Sequence, residues 1–274
     1  MSVSQYGFLF WNVHRKPLEN RISRIANSFA VDVVILVEPS ENDELIVATL
    51  TPHGFRLVSD TLSRIRIYSR IADAEFTTSL YDARWQILAV QFPKLEPILL
   101  VVAHLPSKTN ANDYDQLNAA IELSDDIRAQ ESVRSHDRTI LVGDLNMNPF
   151  EPGITMTRGL NATSTQQVAE RETRTVQRRE YPMFYNPMWG TFGDRTPGPP
   201  GTYYRSAGQA VNYHWNVYDQ LLLRPSAMAM LEDLRVLDSD GEQSLLTENN
   251  LPDDNAGSDH LPLYFQLNWD KLRG

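Results

Sequence analysis

Cysteine is absent from the 274-residue sequence. The chain therefore has no disulfide framework, no cysteine-ligated zinc or iron–sulfur cluster and no thiol nucleophile. A metal site in this protein would have to use oxygen ligands and some of its six histidines.

Long hydrophobic runs are also absent. The longest apolar runs, such as residues 98–103, have the length of a β-strand and fall far short of the roughly 20 residues that a membrane-spanning helix needs. Near the N-terminus the positive charge follows the apolar run, and no small-residue cleavage site is present, which is the wrong order for a secretory signal. The sequence therefore predicts a cytoplasmic protein without a membrane span.

Basic residues are outnumbered by acidic ones, with 25 Lys+Arg against 35 Asp+Glu and a formal net charge of −10. Phosphate neutralisation dominates the binding of proteins that merely coat nucleic acid, so this balance argues against that class. It does not argue against an enzyme with a local basic groove. Hydrophobic residues make up 42% and charged residues 22%, as in ordinary globular chains, which excludes a mainly disordered protein.

Strand-like and helical patterns alternate along the first half of the chain. Strands are predicted at residues 6–13, 31–37, 64–69, 84–92, 98–104 and 139–145, and helices at residues 19–29 and 112–129. Regular periodicity returns at residues 217–223, 228–237 and 261–267. Because no linker separates these parts, the sequence indicates a single domain over residues 1–274, with two stacked sheets and helices outside.

The pattern breaks between about residues 150 and 210. This segment holds seven arginines against five acidic residues, several aromatic residues and a Pro/Gly cluster at residues 197–201. We interpret the segment as a long, locally basic insertion that would attract polyanions. If the substrate is a nucleic acid, the candidate phosphate contacts in this segment are Arg171, Arg174, Arg178 and Arg179.

Polar residues stand at six places where apolar strands begin or end. Burying a lone carboxylate costs several kcal/mol unless it is paired or bound to a metal. At a single strand end, a capped turn or a satisfied hydrogen bond explains such a residue equally well, but six ends together indicate a site on a rigid support. A set of Asp, Glu, Asn and His suits a hard divalent cation with a general acid or base, and not a tetrahedral zinc site. The residues are Asn12, Glu38, His104, Asp144, Asn146, Asp219, Asp259 and His260.

Six motifs contain these residues, namely WNV (11–13), VILVEP (34–39), VAHLPS (102–107), GDLNMNP (143–149), YDQLLL (218–223) and SDHLPL (258–263). The series resembles the endonuclease/exonuclease/phosphatase superfamily, which includes pancreatic-type deoxyribonucleases, apurinic endonucleases, deadenylases, sphingomyelinases and inositol-phosphate phosphatases. GDLN followed by SDH at this spacing is a specific signal, whereas SDH alone would be weak. The resemblance implies an α/β fold with four layers, an α/β/β/α sandwich, over nearly the whole chain.

The resemblance also implies a role for each site residue. Glu38 resembles the principal Mg²⁺ ligand, with Asn12 beside it and Asp259 adding a further contact, and Mn²⁺ is the expected substitute ion. Asp144 resembles the residue that aligns or deprotonates the attacking water. Asn146 resembles the amide that donates to the phosphoryl oxygens.

Two histidines complete the implied site. His260 resembles the superfamily's invariant histidine, and Asp219 resembles the carboxylate that orients it. His104 fits the deoxyribonuclease and sphingomyelinase branches, which have histidine in this motif, and disfavours the apurinic branch, which has a tyrosine-containing motif there. A carboxylate beside His260 would raise the pKa of the imidazole and fix its tautomer.

Substrate-binding residues are less sharply marked. Arg66 lies on an alternating strand, where a solvated face is a better explanation than contact with a phosphate. Many superfamily members have a basic or polar residue at the position of Val217, so neighbouring residues would have to replace its substrate contact here. The candidates are Arg66, Tyr203, Arg205, His214 and Asn216.

These observations favour a divalent-metal-dependent nuclease that hydrolyses phosphodiesters in DNA or RNA by in-line attack of water. The basic insertion with its aromatic residues supports a nucleic acid substrate. A small-molecule or lipid phosphoesterase of the inositol-phosphate or sphingomyelin type is the alternative, because the sequence does not show the shape of the cleft. A catalytically inactive binding scaffold is a remote alternative, since a scaffold would have no reason to keep all the site residues together.

Overall fold

Two mixed β-sheets lie face to face in the computed structural model, which describes residues 4–40, 43–58, 64–206, 208 and 210–272. The strands are β1 (Gln5–Asn12), β2 (Val31–Val37), β3 (Arg56–Leu57), β4 (Ile65–Ser69), β5 (Glu75–Tyr81), β6 (Trp85–Gln91), β7 (Ile98–His104), β8 (Thr139–Asp144), β9 (Ala162–Thr163), β10 (Thr173–Val176), β11 (Arg179–Pro182), β12 (Phe184–Tyr185), β13 (Tyr203–Tyr204), β14 (Trp215–Asn216), β15 (Asp219–Leu223), β16 (Leu231–Val236) and β17 (Leu263–Asn268). The helices are α1 (Glu19–Ser28), α2 (Asp43–Leu50), α3 (Asp113–Arg134), α4 (Pro152–Thr155), α5 (Gln166–Ala169) and α6 (Pro225–Met228).

Among the described residues, none of the helices combines the length and apolar character needed to cross a bilayer.

The order of the strands places the middle of each sheet under the site described below. The first sheet runs β16-β17-β1-β2-β4-β3, and the second runs β5-β6-β7-β8-β15-β12-β9. Strand β1 is parallel to β2 and antiparallel to β17. Strand β8 is parallel to β7 and antiparallel to β15. Central strands are hydrogen-bonded on both sides, so the residues at their ends are held on a rigid support.

The buried hydrophobic residues form three layers, one between the sheets and one under the helices on each outer face. Side chains that alternate along β1 contribute to two of these layers. Phe8 points between the sheets and stacks on Phe265 of β17 at 4.9 Å, whereas Leu9 points outwards and is covered by α1. On the outer face of the second sheet, α3 is packed through Leu123 and its neighbours. Each fully buried side chain of this size contributes about 1.5–3 kcal/mol. Helix, sheet, sheet and helix are thus stacked in order, which confirms the predicted α/β/β/α sandwich.

The predicted strands and helices of the first half agree with the structure to within a few residues. Helix α3 continues five residues beyond its predicted end at residue 129, and it starts in a capping box between Asn112 and Asp115. The sequence does not predict α2 or β5. Strand β5 is an edge strand with several exposed side chains, so it lacks the buried apolar run by which the central strands are found.

A buried ion pair joins α3 to the end of β15. Arg224 is 1% exposed, and its Nε lies 2.8 Å from Oε1 of Glu131, which also accepts a hydrogen bond from the Thr139 hydroxyl at 2.7 Å. The guanidinium lies over the ring of Phe184 at 3.9 Å. Both charges are therefore paired and hydrogen-bonded, as burial requires.

The segment from residue 150 to residue 210 extends the second sheet, since β12 pairs with β15 and β9 pairs with β12. Residues 207 and 209 of this segment lie outside the described residues. The β10-β11 hairpin carries the exposed Arg174 and Arg179 and precedes Met183, whose carbonyl accepts from Arg224. The hairpin is therefore attached beside the end of β15 that is opposite to Asp219.

Removing the charge of Glu131 should destabilise the fold. The Glu131→Gln variant leaves the Arg224 guanidinium buried without its countercharge, which typically costs about 3–5 kcal/mol. Glu122→Gln on the same helix removes an exposed partner of Arg84 and should cost less than about 1 kcal/mol. Urea denaturation measures both free energies of unfolding. Equal losses would show that burial does not determine the strength of the Arg224 pair.

Candidate active site

Polar residues at the ends of four strands meet at one edge of the sandwich. Asp144, the last residue of β8, lies opposite His104 of β7 and opposite Asp219 of β15. Asn12 ends β1 in the other sheet, and its side-chain amide donates to Oδ2 of Asp144 at 2.9 Å. The two sheets therefore bring residues that are far apart in the chain to a single place.

A pocket of about 250 Å³ opens at this edge. Nine of the residues singled out from the sequence line it, and Asp219 lies directly behind one of them, His260. The nine are Asn12, Glu38, His104, Asp144, Asn146, Tyr203, Arg205, Asp259 and His260.

The Asp144 carboxylate lies at the centre of the pocket and is almost fully buried. Its Oδ1 accepts from the backbone N–H of Asn146 at 3.0 Å, and its Oδ2 accepts from Asn12. The Nε2 atoms of His104 and His260 both lie 3.8 Å from Oδ2. This carboxylate is thus fixed by donors on one side and faces two imidazoles on the other.

His260 is held by a buried carboxylate. Its Nδ1 lies 2.8 Å from Oδ2 of Asp219, whose backbone N–H donates to the Thr202 hydroxyl. Burial lowers the pKa of the imidazole, but the carboxylates of Asp219, Asp144 and Asp259 outweigh burial and raise the pKa of His260 to about 10. The ring is therefore an imidazolium at neutral pH, and its Nε2 side can donate to a phosphoryl oxygen.

Two tyrosines complete the wall beside His260. The ring of Tyr203 lies 4.7 Å from the His260 ring and stacks on Tyr218 at 5.3 Å. Burial raises the pKa of both phenols, and nearby carboxylates raise it further. Their hydroxyls therefore stay protonated and can act as hydrogen-bond donors in the pocket.

The backbone around the pocket is strained. Glu38, His14, Arg15 and Asn146 have φ angles of 48°, 47°, 57° and 51°, in the left-handed region. Each such residue costs on the order of 1–3 kcal/mol, and such residues cluster at active sites. In this conformation the Glu38 carboxylate reaches His104, with Oε1 3.3 Å from Nε2.

The donor set in the pocket fits a hard divalent cation. Glu38 and Asp259 are partly exposed carboxylates, and Asn12 and Asp144 add further oxygen atoms in the same pocket. Carboxylate and amide oxygens are the ligands that Mg²⁺ and Mn²⁺ prefer. Glu38 also lies near two basic side chains, with Arg15 Nε 3.9 Å and His104 Nε2 3.3 Å from its carboxylate oxygens.

Three of the residues predicted to bind substrate lie away from the pocket lining. Arg66 on β4 donates to the carbonyl of Ile65, and the His214 ring faces Tyr204 at 6.2 Å. Asn216 is buried, and its side-chain oxygen accepts from Asn148. Tyr203 and Arg205 do line the pocket.

Sequence reasoning missed Lys108 and Tyr218, which line the pocket beside the predicted residues. Lys108 follows the VAHLPS motif, and its ammonium contacts Glu151. The loop after His104 is the signal that could have identified Lys108, because residues that follow a strand ending in the site stay close to the site.

A family model shows the class of proteins to which this fold belongs, hydrolases that act on phosphoester bonds. The model of the Endonuclease/Exonuclease/phosphatase family matches residues 9–260, so the chain belongs to this family. A comparison with curated protein sequences gives no significant match.

Several solved structures have the same fold, and each aligns with nearly the whole of this chain. A humanized TDP2 of D. rerio with 14 mutations has 17% identity and a TM-score of 0.57, with 97% of this chain and 99% of that chain covered. D. rerio TDP2 complexed with a single-strand DNA product has 16% identity and a TM-score of 0.56, with the same shares covered. The human Nocturnin catalytic domain with a bound sulfate anion has 13% identity and a TM-score of 0.59, with 98% of this chain and 96% of that chain covered.

A double-mutant cycle tests the pairing of Asp219 with His260. If Asp219 acts by orienting His260, then Asp219→Asn and His260→Asn should each lower kcat on a generic phosphodiester by about a hundredfold or more. The double variant should be little worse than either single variant, because both changes remove the same interaction. Hydrolysis of bis(p-nitrophenyl) phosphate measures kcat. Multiplicative losses would mean that the two residues act independently.

Proposed function

We propose that the protein is a divalent-metal-dependent nuclease that hydrolyses phosphodiesters of DNA or RNA by in-line attack of water. One observation carries the proposal. The Asp144 carboxylate faces two histidines in a pocket that also holds the oxygen donors Glu38, Asn12 and Asp259. Such a pocket contains both a candidate base and a set of ligands for a cation.

Glu38, Asn12 and Asp259 would hold Mg²⁺ or Mn²⁺. A bound ion of this kind supplies Lewis acidity at a phosphoryl oxygen and neutralises part of the negative charge of the site. The position of Glu38 and Asp259 in the pocket lining supports this role, because their side chains are 21% and 27% exposed.

The chain's own residues do the remaining work. Asp144, fixed through both oxygens, orients the attacking water and accepts its proton. A phosphodiester under attack gathers negative charge on its non-bridging and leaving oxygens, so positioned donors stabilise the transition state. The donors available are the His260 imidazolium, the Asn146 amide and the Tyr203 hydroxyl.

Two observations support a nucleic acid as the substrate. Arg205 lines the pocket with a positive charge, within a chain of net charge −10, and Lys108 lines it while paired with Glu151. One solved structure with this fold, D. rerio TDP2, is complexed with a single-strand DNA product. The arginines of the β10-β11 hairpin do not support it, since the hairpin is attached beside the opposite end of β15.

Metal dependence is tested by chelation and by Glu38. Activity on DNA or RNA should disappear with EDTA and return with Mg²⁺ or Mn²⁺. Glu38→Gln should lower kcat by about a hundredfold or more while the Tm stays within a few degrees, because the carboxylate is a ligand and not part of the core. The control is Glu75→Gln on the edge strand β5, which should retain full activity. Full activity in chelator or in Glu38→Gln would overturn the proposed role.

A comparison of arginine variants tests which basic residues contact the substrate. Arg205→Gln should raise KM for a short oligonucleotide and flatten its salt dependence, because one phosphate contact with its released counterions is lost. Arg174→Gln combined with Arg179→Gln should leave both quantities unchanged, because the hairpin is at the far end of the sheet. Initial rates at salt concentrations between 50 and 200 mM give KM and its salt dependence, because phosphate contacts change affinity strongly over this range. A raised KM in the hairpin variant alone would show that substrate binds along the opposite end.

A further inference from the structure

A second, larger cavity opens beside the pocket that holds the catalytic residues. Its volume is about 790 Å³, and Lys108, Arg205 and Tyr218 line both spaces. The catalytic pocket, at about 250 Å³, is smaller than the roughly 300–1,000 Å³ that encloses a small organic ligand. The pocket therefore has room for the scissile phosphate, and we expect the groups next to that phosphate to lie in the larger cavity.

A cluster of four aromatic rings centred on Phe150 extends from the wall of this cavity. Phe150 and Tyr213 line it, with their ring centroids 5.2 Å apart, and Phe150 also contacts Phe192 at 5.9 Å and Trp189 at 6.3 Å. Tyr213 is 52% exposed, and Trp189 and Phe192 are each 38% exposed. Clustered aromatic surface of this kind marks a binding groove, and the flat face of a nucleobase is a suitable partner for it.

The rest of the lining favours a base over a hydrocarbon chain. Charged side chains of Lys108, Asp113, Glu151 and Arg205 share the cavity with the rings. A lipid acyl chain would remove water from these groups without hydrogen bonding to them, which is costly. A nucleobase combines a stacking face with an edge of donors and acceptors, so it matches both kinds of surface.

We infer that this cavity is a subsite for an unpaired nucleobase beside the scissile phosphate, stacked on Phe150 and Tyr213, so that the protein acts on single-stranded nucleic acid. The inference rests on the proposed nuclease function and names the form of its substrate. Bases inside a duplex are stacked on one another, and a base must leave that stack before a protein ring can take its place. Arg205 and Lys108, the latter paired with Glu151, line both spaces, so they lie where the phosphate that links the base to the cleavage site would pass.

Binding can be measured without turnover. In EDTA, titration of the protein with a single-stranded oligothymidylate should quench tryptophan fluorescence, because a base that stacks in this cluster lies close to Trp189. An oligonucleotide of the same length with abasic sites should bind about fivefold to a hundredfold more weakly and cause little quenching, since the stacking of one base on a ring typically contributes this much. Trp189→Phe should abolish the quenching and retain binding. Equal affinity and no quenching for both oligonucleotides would overturn the inference.

Kinetics with ring variants test the same residues in the active enzyme. With Mg²⁺, Phe150→Leu and Tyr213→Ala should each lower kcat/KM on a single-stranded oligonucleotide by about tenfold and leave cleavage of the abasic oligonucleotide within twofold. Leucine keeps the apolar volume of Phe150, so a loss in this variant reports on the ring. Tyr81→Ala, an exposed tyrosine on β5, is the control and should change neither rate.

A duplex and a lipid serve as the remaining test substrates. Wild-type protein should cleave the single strand at least about tenfold faster than the same sequence in a duplex. If duplex and single strand are cleaved at the same rate and the ring variants are normal, the inference fails and the nuclease proposal stands. If no polynucleotide is cleaved and sphingomyelin vesicles are hydrolysed in a manner that depends on Phe150 and Tyr213, the proposed function itself fails.

Discussion

The hydrogen bond from Asn12 to Asp144 joins the ends of the two sheets, and the geometry of the candidate site depends on it. Each residue ends a central strand of its own sheet, so neither can move without disturbing a buried strand. The same carboxylate lies beside His104 and His260. A site built on strand ends is therefore as rigid as the sandwich beneath it, which is what positioning of a phosphodiester requires.

Close packing below the site imposes its own limits on the sequence. A Cβ atom added to Gly143 would lie 2.2 Å from the carbonyl oxygen of Ala103 on the neighbouring strand. Strands β7 and β8 could not keep this separation with any other residue there. The glycine before Asp144 is thus part of the positioning of that carboxylate, together with the strained φ angles of Glu38 and Asn146.

Electrostatics explains why the site should attract both a cation and a phosphate. Carboxylates dominate the pocket, and one consequence is the raised pKa of His260, which carries a positive charge among three acidic residues. A divalent cation would neutralise the remaining acids. Arg205 and Lys108, the latter paired with Glu151, then place cationic side chains where the pocket meets the larger cavity, beside the site that the anionic substrate would occupy.

The sequence by itself determined most strands and helices of the first half and the polar residues at the strand ends, and its motifs indicated the sandwich through their resemblance to a family, because strand burial and motif spacing are local properties of the chain. It did not determine which basic and aromatic residues lie beside the site. Composition indicated the arginines near residue 175 as phosphate contacts, yet pairing of β12 with β15 places their hairpin beside the opposite end of the sheet. Only tertiary structure brought Lys108 and Phe150 to the cavity, and buried Asn216 against Asn148, because contacts between distant segments leave no periodic pattern in the sequence.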